Sequence, residues 1–336
     1  MTRIESIGYT RSIPRMLPML RFSALLALLL FGTFASAEKP SAIGAAFIDD
    51  EKILDGFTKK LGTLAGDGKC VFGQDIAKKT AERKATKLEA AKPSDKALSP
   101  IDLADRIEAS VFLIGSVAGT KEKGFEQGRM ATAWVASADG LLITNAHVFE
   151  EIGDDEHFGA MDRAGEAYAM TDLVAVDRDS DVAVFRIEAK GLTPLPLATA
   201  PAKRGSWVGL MSHPGDRYFT FTQGHVTRYS KYKDEANVAS RWMDITADYA
   251  SGSSGGPVVD ACGNVVGMAA FTQNIDAPEE GNAAAVRKPM LRKKAKRDEP
   301  KKDPPDLLAA PQLSTVQMVV KSAVPASEIA ALLGGK

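Results

Sequence analysis

Gly252-Ser253-Ser254-Gly255-Gly256-Pro257 sets a serine pair among glycines, and its reading decides the fold. A serine hydroxyl is a poor nucleophile at neutral pH and needs a base within hydrogen-bond reach. Backbone N–H groups beside it must also stay free to receive a developing oxyanion. Glycines at 252, 255 and 256 permit the tight backbone that leaves them free. Ser254, and not Ser253, has the glycine spacing of a nucleophile, and the N–H groups of Gly252 and Ser254 are the expected oxyanion donors.

Upstream, Thr144-Asn145-Ala146-His147 offers His147 as the base. A carboxylate must hold its imidazole in the right tautomer, and Asp181 can do so, with Asp177 and Asp179 as rivals. The glycines around Ser254 also satisfy G-x-S-x-G, the strand-to-helix elbow whose enzymes run Ser, acid, His. That order is excluded. The four histidines are His147, His157, His213 and His225, and none follows Ser254. The order left is His, acid, Ser. His157, His213 and His225 read as structural or surface residues and are assigned no chemistry.

The surroundings of these motifs read as β-structure. Short β-prone runs occur at 111–117, 131–137, 141–144, 173–176, 182–187, 207–211 and 219–228. Asp139-Gly140 and Gly263-Asn264 are tight-turn signals, the second lying between Val258-Val259 and the run 265–271. Strand character resumes at 316–321, and 326–333 reads as a terminal helix. Many short strands without a long helical pattern predict an all-β barrel or sandwich.

With 336 residues and 45% apolar content, the chain can bury one large core or two smaller ones. The formal net charge of -1 excludes a global field that would select nucleic acid or a membrane. Two cysteines and scattered histidines give no metal-ligand spacing, so neither metal nor cofactor is expected.

Residues 1–37 carry an export pattern. Arg11, Arg15 and Arg21 precede the apolar run 22–34, and Ala35-Ser36-Ala37 supplies small residues for cleavage. The run is short of the ~30 Å bilayer core, which favours a cleaved signal over an uncleaved anchor. The expected destination is the periplasm or the exterior. Export leaves two readings of Cys70 and Cys262: one disulfide or two unrelated thiols. Residues 38–98 form a separate extension, in which 49–64 has mixed helical spacing and 76–92, rich in Lys, Ala and Glu, is expected as a solvated helix or loosely ordered arm, with propeptide or docking as functional alternatives. Ser99-Pro100-Ile101-Asp102 then reads as a capped helix start, and 99–336 as the main domain.

Residues 276–311 interrupt the strands with six prolines, and nine Lys or Arg face two acids between Arg287 and Lys302. The segment is expected as a disordered surface insertion, with anionic polymers or a membrane surface as its alternative partners and no specific nucleic acid.

Three segments together resemble the trypsin-like serine peptidases, nearest their HtrA/DegP-like bacterial branch. They are Leu142-Ile143-Thr144-Asn145-Ala146-His147-Val148, Asp177-Arg178-Asp179-Ser180-Asp181-Val182-Ala183-Val184, and the glycine-flanked serine stretch. The likeness covers about residues 110–273 and resumes at 316–333. It implies two packed six-stranded β-barrels with a C-terminal helix, alongside the partly helical N-terminal extension. It makes His147 the base, Asp181 the acid and Ser254 the nucleophile of an endopeptidase acting through an acyl-enzyme. It places Asp248 at the base of the primary pocket, which would favour Lys or Arg before the scissile bond; a small aliphatic preference is the alternative. It also makes Ala269-Ala270-Phe271 the strand that pairs with extended polypeptide substrate. The chain departs from the branch in carrying Ser253 where Asn is usual, and no room is expected after Lys336 for a PDZ domain. The rival reading is a non-catalytic or latent binding module that engages a partner through the cleft or the basic loop.

Overall fold

Runs of branched and aromatic residues between glycine turns form the strands of the computed structural model, which describes residues 47–80, 86, 88, 91–233, 239–276 and 316–334. Residues 48–336 form one compact unit, and of residues 1–47 only Phe47 is described. The export signal at 1–37 and the basic insertion with its anionic partners lie outside the described residues, except for Asp276 at a strand end.

Among the described residues, twelve strands close into two six-stranded antiparallel barrels. The first contains β1 (Val111–Thr120), β2 (Gly124–Val135), β3 (Leu141–Thr144), β4 (Glu156–Met161), β5 (Ala167–Asp177) and β6 (Val182–Ile187) in the order β1-β2-β3-β6-β5-β4. The second contains β7 (Trp207–Ser212), β8 (Thr220–Lys233), β9 (Ala239–Ile245), β10 (Pro257–Val259), β11 (Val265–Asp276) and β12 (Val316–Pro325) in the order β10-β11-β12-β9-β8-β7. The expected turns hold, with Gly140 at φ 96° and Gly263 at φ 81°. Closure leaves each barrel without a continuous open edge, and its inward residues form the core, from Phe112, Phe158 and Phe185 in the first to Leu210, Met243 and Val258 in the second.

Two strands have no counterpart among the expected runs. β4 is Glu-His-Phe-Gly-Ala-Met and β9 is Ala-Ser-Arg-Trp-Met-Asp-Ile, both poor in β-branched residues. β4 is held by pairing with β1 and β5, and β9 by pairing with β8 and β12. Cross-strand neighbours, not local propensity, make them strands.

Helices decorate this frame. α1 (Asp50–Gly66) and α2 (Gly73–Thr80) precede it, α3 (Pro100–Glu108) leads into β1, and α4 (Ala326–Leu332) closes the chain. Ser99 caps α3 as expected, accepting from the Asp102 N–H at 3.1 Å. The helical spacing at 49–64 corresponds to α1, and Ile76, in the stretch read as a solvated helix or loosely ordered arm, is fully buried. Phe57 and Leu61 of α1 are fully buried in a cluster that continues through Leu113, Trp134 and Met211 of the barrels. Burying such side chains contributes about 1.5–3 kcal/mol each. Further along, Ser94 N–H and Asn264 bond reciprocally, and Leu98 N–H donates to the Ala261 carbonyl. Through these contacts the described part of the extension from residue 48 belongs to the same compact unit as the barrels.

The disulfide reading is corrected too. Both cysteines are free. Cys70 sits on the first barrel, fixed by the adjacent Val71 N–H to Met170 carbonyl bond, whereas Cys262 lies in the β10–β11 turn of the second. Burial pushes the Cys70 thiol up to about 12, so it is an inert core residue.

Candidate active site

The segment 250–254 folds back on itself because two glycines accept conformations that other residues resist. Gly252 has φ 90° and Gly255 φ 89°. A Cβ on Gly252 would overlap the His213 carbonyl, and one on Gly255 would overlap the Thr132 carbonyl. Ser253 N–H donates to Ala250, and Gly256 N–H to the Ser253 carbonyl at 2.9 Å. A trans peptide points its N–H and C=O in opposite directions. The Ser254 N–H therefore faces away from Gly256. On the other side of Ser253, Gly215 N–H holds the Ser251 carbonyl at 2.8 Å, which turns the Gly252 N–H the other way. Among the described residues neither N–H donates to a protein acceptor. Ser253 itself is fully buried and bonds to Ser212, so its side chain is structural.

Ser254 Oγ lies 2.9 Å from His147 Nε2. His147 Nδ1 lies 2.8 Å from Asp181 Oδ2 and 3.1 Å from Oδ1. His147 and Asp181 come from the facing first barrel, and Ser254 from the second, so the geometry exists only at the junction. The His147 and Asp181 side chains are each 16% exposed. A 3₁₀ turn at Ala146–Phe149 carries His147, and Asp181, in a left-handed conformation at φ 56°, ends the turn before β6. Of the rival acids, Asp177 accepts from Asp179 N–H, and it is Asp181 that bonds to the imidazole Nδ1.

Several supports were not legible in the motifs. Asn145 Nδ2 donates to the Asp181 carbonyl at 3.0 Å, and Asp181 Oδ1 also accepts the His147 backbone N–H at 2.9 Å. Arg129 donates to the carbonyls of Val148, Glu150 and Glu151, bracing the turn that presents His147. Thr132 Oγ1 donates to the Gly252 carbonyl, and Thr132 N–H to the Ser254 carbonyl, clasping the Ser254 loop from the first barrel. Asn145 sat in a quoted motif. Arg129 and Thr132 are ordinary strand residues whose roles come from barrel packing alone.

His213 is fully enclosed, and burial pushes its ring down to about 4. It is therefore neutral at neutral pH, and its Nδ1 accepts from Phe219 N–H at 2.9 Å. Its assignment as structural agrees with these bonds.

A cleft of about 390 Å³ opens beside Ser254, walled by Tyr249, Ala250 and Ser251 on one side and Ala270, Phe271 and Thr272 on the other. Ala270 carbonyl also accepts from Ser254 Oγ at 3.2 Å. Ala269 is excluded from this wall: its N–H and carbonyl are taken by Gly256 and Gly255. β10 pairs with β11 only as far as Met268, and a bulge at Ala269/Phe271 leaves the following edge of β11 facing the cleft.

Asp248 is not at the base of the pocket. The segment alternates, with Ala247 and Tyr249 buried and Asp248 turned outward, its side chain 89% exposed. The partly buried charge near the cleft wall is instead Lys321, 14% exposed, whose ammonium donates to the Tyr249 carbonyl and lies 3.8 Å from Asp248. Lys321 pairs directly with Thr272, which brings it under the same strand wall.

Comparison with known proteins gives the following similarities. Residues 131–268 match the family model described as trypsin-like peptidase domain. The chain is 32% identical over 180 residues to the serine protease Rv3671c of Mycobacterium tuberculosis, covering 52% of this chain and 43% of that protein. It is 34% identical over 144 residues to the mitochondrial serine protease HTRA2 of Bos taurus, covering 41% and 30%. A probable periplasmic serine endoprotease, DegP-like, of Halomonas elongata is 28% identical over 151 residues, covering 45% and 31%. The chain thus spans less than half the length of these relatives. The crystal structure of the active form of Rv3671c protease from M. tuberculosis superposes with TM-score 0.49 at 22% identity, covering 75% of this chain and 91% of that one.

Proposed function

The chain carries a trypsin-like peptidase domain at residues 131–268, and from that premise we propose that it is a serine endopeptidase acting through His147, Asp181 and Ser254. The observation that carries the reading is the continuous line of hydrogen bonds Asp181–His147–Ser254, with 2.8 and 2.9 Å links.

Each step follows from these positions. His147 Nε2 takes the Ser254 hydroxyl proton as Oγ attacks the scissile carbonyl carbon. The carbonyl electron pair moves onto oxygen, which the N–H groups of Gly252 and Ser254 receive. Asp181 stabilises the imidazolium. Collapse of the intermediate breaks the C–N bond, and His147 returns its proton to the leaving amine. Water, deprotonated by His147, then hydrolyses the acyl-enzyme by the same route. The free β11 edge at residues 270–272 is suited to pair with an extended chain, so unfolded or loop segments are the proposed substrates. The export pattern at residues 1–37 supports action in the periplasm or outside the cell.

A fluorophosphonate probe tests the reading, because it traps an activated serine without requiring a known substrate. Mass spectrometry is expected to find a single adduct at Ser254. A folded protein that gains none would sink the enzyme reading in favour of a binding module.

Specificity follows from Lys321. A basic side chain entering the cleft approaches Thr272, whose strand partner Lys321 holds a partly buried ammonium on the Tyr249 carbonyl, while the Asp248 carboxylate points to solvent. Cleavage of a peptide library is expected to show no preference for Lys or Arg before the scissile bond, with Asp248→Ala leaving the profile within about twofold, the scale of small surface effects. A profile dominated by Lys and Arg would contradict this.

A further inference from the structure

We propose that Asp50, the first residue of α1, is a positioning residue for the oxyanion hole, so that the N-terminal helix is a working part of the catalytic unit. This inference rests on the endopeptidase reading.

The argument starts from loop 213–219, which joins β7 to β8 behind the nucleophile segment. Gly215, Asp216 and Phe219 all have left-handed backbone, at φ 54°, 59° and 57°. Asp216 and Phe219 carry side chains, and such conformations persist only where the surroundings hold them. Three contacts do so. Phe219 N–H donates to His213 Nδ1 at 2.9 Å and pinches the ends of the loop together. Tyr218 and Phe219 are 2% and 6% exposed, within the apolar cluster that includes Phe57 of α1. Tyr218 N–H donates to Asp50 Oδ1 at 3.0 Å.

That last bond reaches the loop from another part of the chain, 168 residues earlier. The Asp50 carboxylate is also placed well for its own helix, since an acid in the first turn is stabilised by the helix dipole. Without its acceptor, the Tyr218 N–H is left unpaired beside a buried side chain, and the strained loop has a lower-energy conformation available.

The loop matters because Gly215 N–H holds the Ser251 carbonyl. The peptide between Ser251 and Gly252 is thereby fixed with its N–H away from Gly215, toward the cleft. If the loop relaxes and that peptide rotates, a carbonyl takes the place of a donor. The Asp181–His147–Ser254 line is untouched by such a change. Asp50 thus acts through Tyr218, Gly215 and Ser251 on a donor, not on the nucleophile.

The test compares second-order rates of Ser254 labelling by a fluorophosphonate, whose phosphoryl oxygen also needs the hole, in full-length parent, Asp50→Ala, Asp50→Asn and Glu51→Ala. Losing an oxyanion donor outright typically costs ~10²–10³ in rate. Asp50→Ala is expected to label at least about tenfold more slowly, with its melting temperature lowered by no more than several degrees and the fold kept at the assay temperature. Asp50→Asn, whose amide oxygen still accepts, and Glu51→Ala, on the same helical turn, are expected to match the parent. Amide exchange at Gly215 is expected to quicken in Asp50→Ala alone. Equal labelling by Asp50→Ala and parent, equal slowing by Glu51→Ala, or unchanged Gly215 exchange would each overturn the proposal. A parent that fails to label while Gly215 exchange still responds to Asp50→Ala would sink the enzyme reading and leave the brace standing as structure.

Discussion

Ser254→Ala is expected to lower turnover of an unfolded polypeptide by about 10⁶-fold, the scale on which loss of a triad nucleophile acts. The effect is this large because Ser254 Oγ is the atom on which the rest of the site converges. It is 2.9 Å from the base and bonded at its other side to the Ala270 carbonyl. The alanine variant keeps Gly252 and its N–H, keeps the clasp by Thr132, and loses only the part-buried bonds of Ser254 Oγ to His147 Nε2 and the Ala270 carbonyl. Its melting temperature should stay within a few degrees of the parent, and a residual rate of about 10³–10⁴ over water is expected from the oxyanion donors and substrate binding. Steady-state hydrolysis with purified variant checks this. Retention of more than about 1% of parental activity would mean that another group attacks.

Asp181→Asn is expected to reduce turnover by about 10⁴-fold while leaving the fold intact. Asparagine tolerates the left-handed φ of 56° at this position, so the turn before β6 survives. The chemistry does not. Oδ1 accepts the His147 backbone N–H at 2.9 Å, so the amide oxygen is drawn to that side. The amide NH₂ then occupies the place of Oδ2, 2.8 Å from the imidazole Nδ1. A donor there requires Nδ1 to accept, which puts the ring proton on Nε2, facing Ser254. In that tautomer the base cannot take the hydroxyl proton. Steady-state hydrolysis, with melting temperature as the control, decides the matter; a variant within tenfold of the parent would show that the carboxylate is not what orients His147.

Much of the architecture was readable along the chain, and what was missed has identifiable causes. β1, β3, β6 and β7 follow branched apolar runs, and β10 and β11 flank a Gly-Asn turn, so local propensity and fold agree there. β4 and β9 lack such runs and exist because partners on both sides supply their hydrogen bonds. Residues 49–64 show only mixed helical spacing, and 76–92, rich in Lys, Ala and Glu with little apolar periodicity, read as a solvated helix or loosely ordered arm. Yet Phe57, Leu61 and Ile76, the residues that count, are all fully buried against the barrels. Asp248 failed as a pocket residue for a simpler reason: counting six positions back from Ser254 specifies a residue, whereas the alternation of Ala247, Asp248 and Tyr249 specifies where its side chain points.

The sequence by itself determined the order His, acid, Ser, the glycines that a left-handed nucleophile loop demands, and the residue types able to attack, accept a proton and orient. These are properties of local chemistry and chain order, and they need no neighbour to be stated. Tertiary structure alone decided how closely the Asp181 carboxylate meets His147, that Cys70 and Cys262 stay apart, that the charge under the cleft wall is Lys321, and that α1 touches the loop behind Gly252. Each of these is a contact between segments far apart in the chain. Such contacts are set by which barrel a segment joins and which way its side chains alternate there, and closure of two barrels around one junction is what brings them into range.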